Sequence, residues 1–247
     1  MSVFMDLNLS FTADKKLLQS VVETAAHLGF STVAINYVFE PTAKKKQDIP
    51  SPTPINELID QLPVVQGRSR PIRVLNRLTI VMSDSSHFRP NAAEYRCFDL
   101  LAVQPTTDKL FHAVDRGVVF EVSYSAAIRD STMRRYTIAN AVSLMDTCKG
   151  KNVILSSAAE KPLELRGPYD ITNLGLLFGL SDGDAKEAVS STCRSVVLHA
   201  ETRRTASGII STMRSCSESS CQQEAPPAAA DSEAPAAKRA KHQLPDD

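Results

Sequence analysis

The sequence has 247 residues and a formal net charge of zero, with 28 basic and 28 acidic side chains. Zero net charge argues against a protein that is basic over its whole surface, but it leaves room for a local basic patch. The length suits one α/β barrel or two small domains, and the apolar content of 43% predicts a sizeable core.

The cysteines and the apolar runs restrict the class of protein further. None of the cysteines has CxxC spacing, so isolated reduced thiols are expected rather than a zinc site or a disulfide framework; they are Cys97, Cys148, Cys193, Cys216 and Cys221. The amino terminus has no basic region followed by an apolar run, and no apolar stretch approaches the roughly 18 residues of a membrane span. We therefore expect a soluble, intracellular protein with no membrane partner.

In chain order, short apolar runs predict strands at residues 3–7, 32–36, 78–82, 97–103, 118–124 and 152–156. Asp14 is expected to cap a first helix that ends at Gly29. A short helix is predicted over residues 55–62, and residues 83–96 read as a loop or a broken helix. Another element begins at residue 107 and stops almost at once. This alternation predicts an α/β fold.

The clearest unit begins at residues 115–136, DRGVVFEVSYSAAIRDSTMRRY. The strand at residues 118–124 is followed by a short connection at 125–129 and by a helix that Asp130 or Ser131 can cap. That helix ends at Gly150, and the next buried strand follows at once. Strand, helix and strand with short links are typical of a parallel βαβ unit.

The last part of the chain is predicted to be helical and then disordered. Asp170 is expected to cap one helix, and Ser181 to begin a longer helix that runs toward Arg203 and Arg204. From about residue 214, Ser, Ala, Pro, Gln and Glu dominate, which predicts a folded domain over residues 1–213 and a disordered tail over residues 214–247. The tail contains a basic cluster at residues 238–241, KRAK, of a type that can act as a nuclear-import signal.

Basic side chains concentrate in particular segments. Residues 66–77, QGRSRPIRVLNR, contain no acid and four arginines, Arg68, Arg70, Arg73 and Arg77. Arginine forks suit phosphate bidentately, so this segment is a candidate RNA-contact surface. The alternative is a solvated loop whose arginines pair with nearby acids. A second group, Arg129, Arg134 and Arg135, is expected at the carboxyl end of the strand at 118–124, where α/β folds place their function. The lysine run at residues 44–46 reads as a solvated loop face.

Catalytic constellations are absent from the sequence. The histidines are scattered, and there is no P-loop, GxGxxG or GxSxG motif. Predicted strand ends offer Asp6, Asn36, Asp84 and Glu121, whose oxygens could bind Mg²⁺ in a metal-dependent barrel phosphoesterase. Glu121 lies inside an apolar strand, so it should be paired, most simply with an arginine of a neighbouring strand. The residues alone leave an enzyme and a binding module open.

Four segments carry a resemblance to a known family. They are VETAAHLGFSTVAIN (residues 22–36), LPVVQGRSRPIRVLNRLTIVMSD (62–84), DRGVVFEVSYSAAIRDSTMRRYTIANA (115–141) and KGKNVILSSAAEKPLELRGPYDITNLGLLFGLS (149–181). Over residues 1–213 the chain resembles the thirty-kilodalton protein subunit of eukaryotic nuclear ribonuclease P, which is shared with RNase MRP. The segments are long, so chance similarity is excluded as an explanation.

The resemblance implies a TIM-barrel-like fold, related to the polymerase and histidinol phosphatase family but without its metal-binding histidines. It implies that the RNA subunit cleaves precursor tRNA and that the protein has no catalytic residue, metal or cofactor of its own. It also implies contact with a small ferredoxin-like subunit and with other protein subunits, nuclear and nucleolar residence, and precursor rRNA processing through RNase MRP. The candidate RNA-binding residues are Arg68, Arg70, Arg73, Arg134, Arg135 and Arg166.

The sequence departs from the family pattern between His112 and Ala113, where a further strand and its following segment are missing. A βαβ unit takes about 30 residues or more, so the gap is about one repeat. Loss of a strand opens a parallel barrel to water. We expect this chain to be less stable than a form with the segment restored. Either the barrel closes with one strand fewer, or it stays split between Val103 and Val118.

Overall fold

The structure is a computed structural model that describes residues 3–41, 49–89, 92–107 and 118–205. The first part contains four parallel strands in the order β1-β2-β3-β4. Their bounds are β1 Phe4–Ser10, β2 Phe30–Phe39, β3 Arg73–Met82 and β4 Leu100–Pro105, with the helices α1 Lys15–His27 and α2 Ile55–Leu58 between them. Two 3-10 helices, Ser85–His87 and Ala93–Cys97, precede β4.

The second part begins with two more parallel strands, β5 and β6, joined through helices. The bounds are β5 Phe120–Ser123, α3 Ser125–Arg129, α4 Ser131–Cys148 and β6 Val153–Ser156. A 3-10 helix, Pro162–Glu164, and three α-helices complete the described chain: α5 Pro168–Leu177, α6 Asp182–Ala188 and α7 Ser191–Arg204. The predicted parallel βαβ unit is thus confirmed.

The two groups of strands are joined where β6 runs on past its last residue along β1. The backbone N–H of Ala158 donates to the carbonyl of Asn8 at 2.8 Å, and that of Ser10 donates to the carbonyl of Ala159 at 3.0 Å. The strands therefore follow one another in the order β5-β6-β1-β2-β3-β4, all parallel and curved into part of a barrel. This architecture confirms the predicted TIM-barrel-like α/β fold.

Helix α7 closes the end of the barrel at which the strands begin. Its residues Cys193, Val197 and Ala200 are buried and share one apolar cluster with side chains of the strands. The strand residues in that cluster are Met5, Leu7, Ala34, Leu75, Leu100 and Ile154. The larger core lies between the sheet and the outer helices, where buried side chains of α1, such as Leu18 and Val22, pack against Val33 and Ile35 of β2.

The barrel is open between β4 and β5. Within the described ranges, β4 is paired only with β3 and β5 only with β6. Of the two outcomes expected from the missing segment, the split barrel is therefore the one observed. Both flanking strands are parallel, so the connection between them must return from the carboxyl end of β4 to the amino end of β5.

Several local predictions are confirmed by the caps. The Asp14 carboxylate accepts from the N–H groups of Lys16 and Leu17, and the Asp130 carboxylate accepts from that of Met133 at 2.9 Å. The helix before β6 ends as expected, because Lys149 and Gly150 both adopt positive φ. The Ser181 hydroxyl caps α6 by accepting from the N–H of Asp184.

Other local predictions were wrong. Strand β3 begins at Arg73, five residues earlier than predicted, so Arg73 and Arg77 belong to a strand and not to a loop. Residues 125–129 form a short helix, and α5 begins at Pro168 after Gly167, with Asp170 in its first turn rather than at its cap. The long helix predicted from Ser181 is two helices, because the chain departs from helical geometry at Ser190.

Some predictions fall outside the described residues. These are the lysine run at 44–46, the interrupted element after residue 107, the turn at 115–117 and the tail at 214–247 with its basic cluster. The boundary predicted at residue 213 also stays a prediction, since the description ends at residue 205.

Restoring the missing strand and helix between His112 and Ala113 is expected to stabilise the barrel, because it would pair both free strand edges and cover apolar surface. Thermal melting of this chain beside the restored chain measures the effect. We expect the restored chain to melt at a higher temperature and more cooperatively. Equal midpoints and equal cooperativity would contradict this expectation.

Candidate functional site

The interior of the barrel contains a connected set of polar side chains. They come from five of the six strands, and we call them the lumen network: Asn8, Asn36, Arg77, Thr79, Glu121, Ser123 and Ser156. Buried polar groups are costly unless they are hydrogen-bonded, so a set of this size must be largely self-satisfied.

The centre of the lumen network is an ion pair between Arg77 of β3 and Glu121 of β5. The Arg77 guanidinium binds both oxygens of the Glu121 carboxylate, and its Nη1 donates to Oε1 at 2.7 Å. The same Nη1 donates to the carbonyl of Leu7 at 2.9 Å. Side-chain exposure is only 6% for Arg77 and 18% for Glu121, so solvent screens the pair weakly.

The charge of Glu121 follows from this pairing. Burial by itself would raise the pKa of the Glu121 carboxyl, but the charge and hydrogen bonds of Arg77 outweigh burial and hold that pKa below its ordinary value. Ser156 and Asn8 also stabilise the carboxylate through hydrogen bonds. Glu121 is therefore a bound counter-ion. The expectation that it is paired with an arginine is confirmed, although the partner lies across the lumen and not on the adjacent strand.

A chain of amides and hydroxyls extends from the ion pair to the other strands. Arg77 Nε donates to Thr79 Oγ1 at 3.3 Å, and Thr79 Oγ1 donates to Asn36 Oδ1 at 2.7 Å. Asn36 Nδ2 donates to Asn8 Oδ1 at 2.9 Å, and Asn8 Nδ2 reaches Ser123 Oγ at 3.4 Å. Each member has both a donor and an acceptor role, so the arrangement fixes the relative positions of β1, β2, β3 and β5.

Asp6 lies beside the lumen network at the junction of β1 and β6. Its Oδ1 accepts from the backbone N–H groups of Asn8 at 3.2 Å and Ser157 at 3.1 Å. Among the described residues, no partner is found for Oδ2. Burial raises the pKa of Asp6 to about 6, against the lowering effect of the hydrogen bonds. Asp6 therefore supports the β1–β6 junction.

These contacts bear on the alternative of a metal-dependent phosphoesterase. That reading uses strand-end oxygens, yet Glu121 is held bidentately by Arg77 and Asn36 is bonded within the lumen network. Asp84 is exposed and caps a 3-10 helix, where it accepts from the N–H of Ser86 at 2.8 Å. In the part of the chain that the structure describes, no three His, Cys, Asp or Glu residues are grouped closely enough to hold a metal ion.

The predicted RNA-contact arginines divide into two groups. Arg68, Arg70 and Arg73 lie at the end of the barrel where the strands begin, because they precede or open β3. We call them the amino-end group. Arg70 is exposed, Arg68 is half-buried, and Arg73 Nη2 contacts Glu201 Oε1 of α7 at 2.6 Å.

The other three candidates, Arg134, Arg135 and Arg166, form the carboxyl-end group, since they follow β5 and β6. Arg134 Nε donates to the carbonyl of Ala127 at 2.8 Å, and the N–H of Arg166 donates to Tyr124 Oη at 3.2 Å. Both therefore attach to the segment directly after β5. The Arg166 guanidinium donates to the carbonyls of Leu163 and Leu165. The two groups lie at opposite ends of the strands, so no single compact site includes all six residues.

Sequence reasoning missed part of the arrangement. Arg77 was counted with the surface arginines but lies in the interior. Arg203 and Arg204 reach the residues before β4, where Arg204 pairs with the Asp99 carboxylate and Arg203 donates to the carbonyl of Phe98 at 3.3 Å. They therefore lie at the same end as the amino-end group. The Asn and Thr members of the lumen network could have been found as polar residues at alternate positions of buried strands.

Breaking the central ion pair from one side should be strongly destabilising. Arg77→Met leaves a buried carboxylate and Glu121→Gln leaves a buried guanidinium, and each is expected to lower the free energy of unfolding by about 3–5 kcal/mol. The double variant Arg77→Met/Glu121→Leu should lose less than the sum of single losses. Urea unfolding of all variants measures this coupling.

The exposed pair Lys186–Asp182 on α6 is a suitable control. Its removal should cost at most about 1 kcal/mol, because solvent screens it. If the losses at Arg77 and Glu121 simply added, or matched that of the surface pair, the two side chains would not act as a buried unit.

Comparison with known proteins agrees with this geometry. A family model described as RNase P subunit p30 matches residues 3–114 and 111–205. The ribonuclease P protein subunit p30 of Mus musculus is 49% identical over 260 residues, covering 92% of this chain and 97% of the mouse protein. The ribonuclease P/MRP protein subunit RPP1 of Saccharomyces cerevisiae is 23% identical over 247 residues, covering 81% of this chain and 82% of the yeast protein.

The alignments also locate the missing segment. The two matches to the family model meet at residues 111–114, where the sequence predicted the interruption. Because 92% of 247 residues is about 227, about 33 of the 260 positions aligned with the mouse protein have no counterpart in this chain. That number is close to one strand-and-helix repeat of about 30 residues.

The fold agrees with a solved structure. A chain in a structure titled as a cryo-EM structure of archaeal ribonuclease P with mature tRNA superposes with a TM-score of 0.51 at 13% identity, covering 86% of this chain and all of the archaeal chain. At this identity the likeness concerns the fold. The two-part match to the family model nevertheless covers most of the sequence. The chain therefore belongs to the RNase P subunit p30 family.

Proposed function

We propose that this chain acts as a non-catalytic protein subunit of ribonuclease P, the ribonucleoprotein that matures the 5′ end of precursor tRNA, and of RNase MRP in precursor rRNA processing. In this proposal the RNA subunit cleaves the substrate, and the protein binds that RNA, stabilises it and positions other protein subunits. The match to the p30 family model along most of the chain is the observation that carries the proposal. The role in RNase MRP is supported by the yeast relative, whose name includes both complexes.

The interior of the barrel supports a non-catalytic role. A phosphoesterase of this architecture would need free ligands or an acid–base pair at the carboxyl ends of its strands. Here the Glu121 carboxylate is neutralised by Arg77, and Asn8 and Asn36 bond to each other. These side chains stabilise the protein instead of presenting reactive groups.

The exterior supports RNA binding. The amino-end group and the carboxyl-end group place arginines at both ends of the strands, and Arg203 and Arg204 extend the first of these surfaces. Guanidinium forks bind phosphate bidentately, so local surfaces of this type can hold RNA although the net charge of the chain is zero.

The remaining parts of the proposal concern partners and location. The partners are the RNA subunits of ribonuclease P and RNase MRP, a small ferredoxin-like subunit, other protein subunits and, through the holoenzyme, precursor tRNA. The location is the nucleus and nucleolus, which the basic cluster at residues 238–241 favours. No helix among the described residues is long and apolar enough to cross a membrane.

The test of the function is affinity purification of the tagged full chain from nuclear extract. The bound RNA is then sequenced, and the eluate is assayed for cleavage of precursor tRNA. Ribonuclease P RNA and cleavage activity are expected to co-purify with the chain. If neither the chain nor a form with the missing segment restored recovers them, the proposal is overturned.

RNA binding through the amino-end group should depend on salt, because each phosphate contact releases counter-ions. Replacing Arg68, Arg70 and Arg73 together by Gln should reduce the slope of log K against log salt by about 2–3 for ribonuclease P RNA. The matched control removes three exposed charges elsewhere, Lys15, Lys16 and Lys186, and should leave the slope unchanged. An unchanged slope in the arginine variant would exclude this group as an RNA contact, and the same assay then applies to Arg134, Arg135 and Arg166.

A further inference from the structure

We propose that the opening between β4 and β5 is a strand-accepting groove, and that it binds in trans the strand-and-helix segment that this chain lacks. The occupant is the segment of about 33 residues that the mouse relative has and this chain does not. The groove is a protein-binding surface formed by backbone edges, and it is independent of the RNA-binding role.

Two strand edges with the same direction border the opening. Strand β4 is parallel to β3, strand β5 is parallel to β6, and β6 continues along β1 in the same sheet. In the described part of the chain, no ladder joins β4 to β5. A strand placed between them would therefore pair in parallel with both, and it would use backbone groups that a strand edge presents outward.

The opening is held apart by the contents of the barrel. Arg77 of β3 spans the lumen to Glu121 of β5, so filled space lies behind the opening. On each side of it, Leu100 of β4 and Val119 just before β5 pack in the apolar cluster of α7. Because one helix and one ion pair position both sides, the two edges cannot meet without repacking these contacts.

A second observation comes from α4, the helix that follows β5. It has 18 residues, of which only Ala141 and Met145 are buried. Met133, Tyr136 and Val142 remain 46%, 61% and 37% exposed. Such poor coverage is unusual for the crossover helix of a parallel barrel, where neighbouring helices pack side by side. A helix that follows the inserted strand would lie next to α4 and cover part of this apolar surface.

The chemistry of the opening defines its occupant. On the lumen side the inserted strand would meet the polar side chains of Glu121 and Ser123, so small or polar residues fit there. On the outer side it would meet the buried Val122, so apolar residues fit there. The occupant is thus an extended segment with alternating polarity followed by an amphipathic helix.

The test uses the full chain and a synthetic peptide with the sequence of the mouse segment that has no counterpart here. We expect saturable binding and a melting temperature about 5–10 °C higher at a peptide concentration of about one hundred times Kd. Hydrogen exchange of outward amides in β4 and β5 should slow at least about tenfold at saturation. Exchange in α1 should not change by a comparable factor.

Two controls make the result specific. A peptide with proline at two alternate strand positions loses the N–H groups that pair with the edges and should not bind. A chain with the segment restored in its own sequence should not bind the unmodified peptide, because its groove is filled. Absence of binding, equal binding by the restored chain, or protection confined to sites away from β4 and β5 would overturn the proposal. Sedimentation showing that a second copy of the chain pairs at the opening, and excludes the peptide, would overturn it as well.

Discussion

Arg77 and Glu121 meet inside the barrel although their strands belong to the two different groups of the sheet. A guanidinium and a carboxylate at this depth are stable only if each neutralises the other and their remaining hydrogen-bonding capacity is satisfied. Arg77 meets that condition by contacting Glu121, the Leu7 carbonyl and Thr79 at once. The positions of β1, β3 and β5 therefore depend on one another, and the lumen network, the closing helix α7 and the opening are all arranged around this pair.

The pair also separates the two kinds of basic residue in the chain. Inside the barrel, arginine has a structural role and its charge is cancelled. At the two ends of the strands, Arg68, Arg70, Arg134 and Arg135 lie on accessible or half-buried surface, where phosphate can reach them. A protein with an interior fixed by its own counter-ions and arginines at both ends is suited to holding RNA, because rigid placement of positive charge lowers the ordering cost of binding.

The missing segment alters the barrel without removing what holds it together. Its loss leaves β4 and β5 with free edges, yet the contacts that fix these strands come from elsewhere: β3 and β6 beside them, α7 beneath them and the ion pair across the lumen. A parallel sheet usually buries both faces and both edges. The opening is therefore the place where this chain differs most in its physical properties from a complete member of the family.

The sequence by itself determined the elements, the parallel order and the family. Local signals sufficed for the caps Asp14 and Asp130 and for the βαβ unit, because caps and periodicity are properties of neighbouring residues. The sequence also required a partner for Glu121, since burial of a lone carboxylate is costly. Only the tertiary structure decided that Arg77 is that partner. The segment around Arg77 contains four arginines with similar local surroundings, and the one that points inward is selected by where β3 begins and by the approach of β5. The split barrel was likewise decided in three dimensions, because pairing of β4 depends on strands that are distant in sequence.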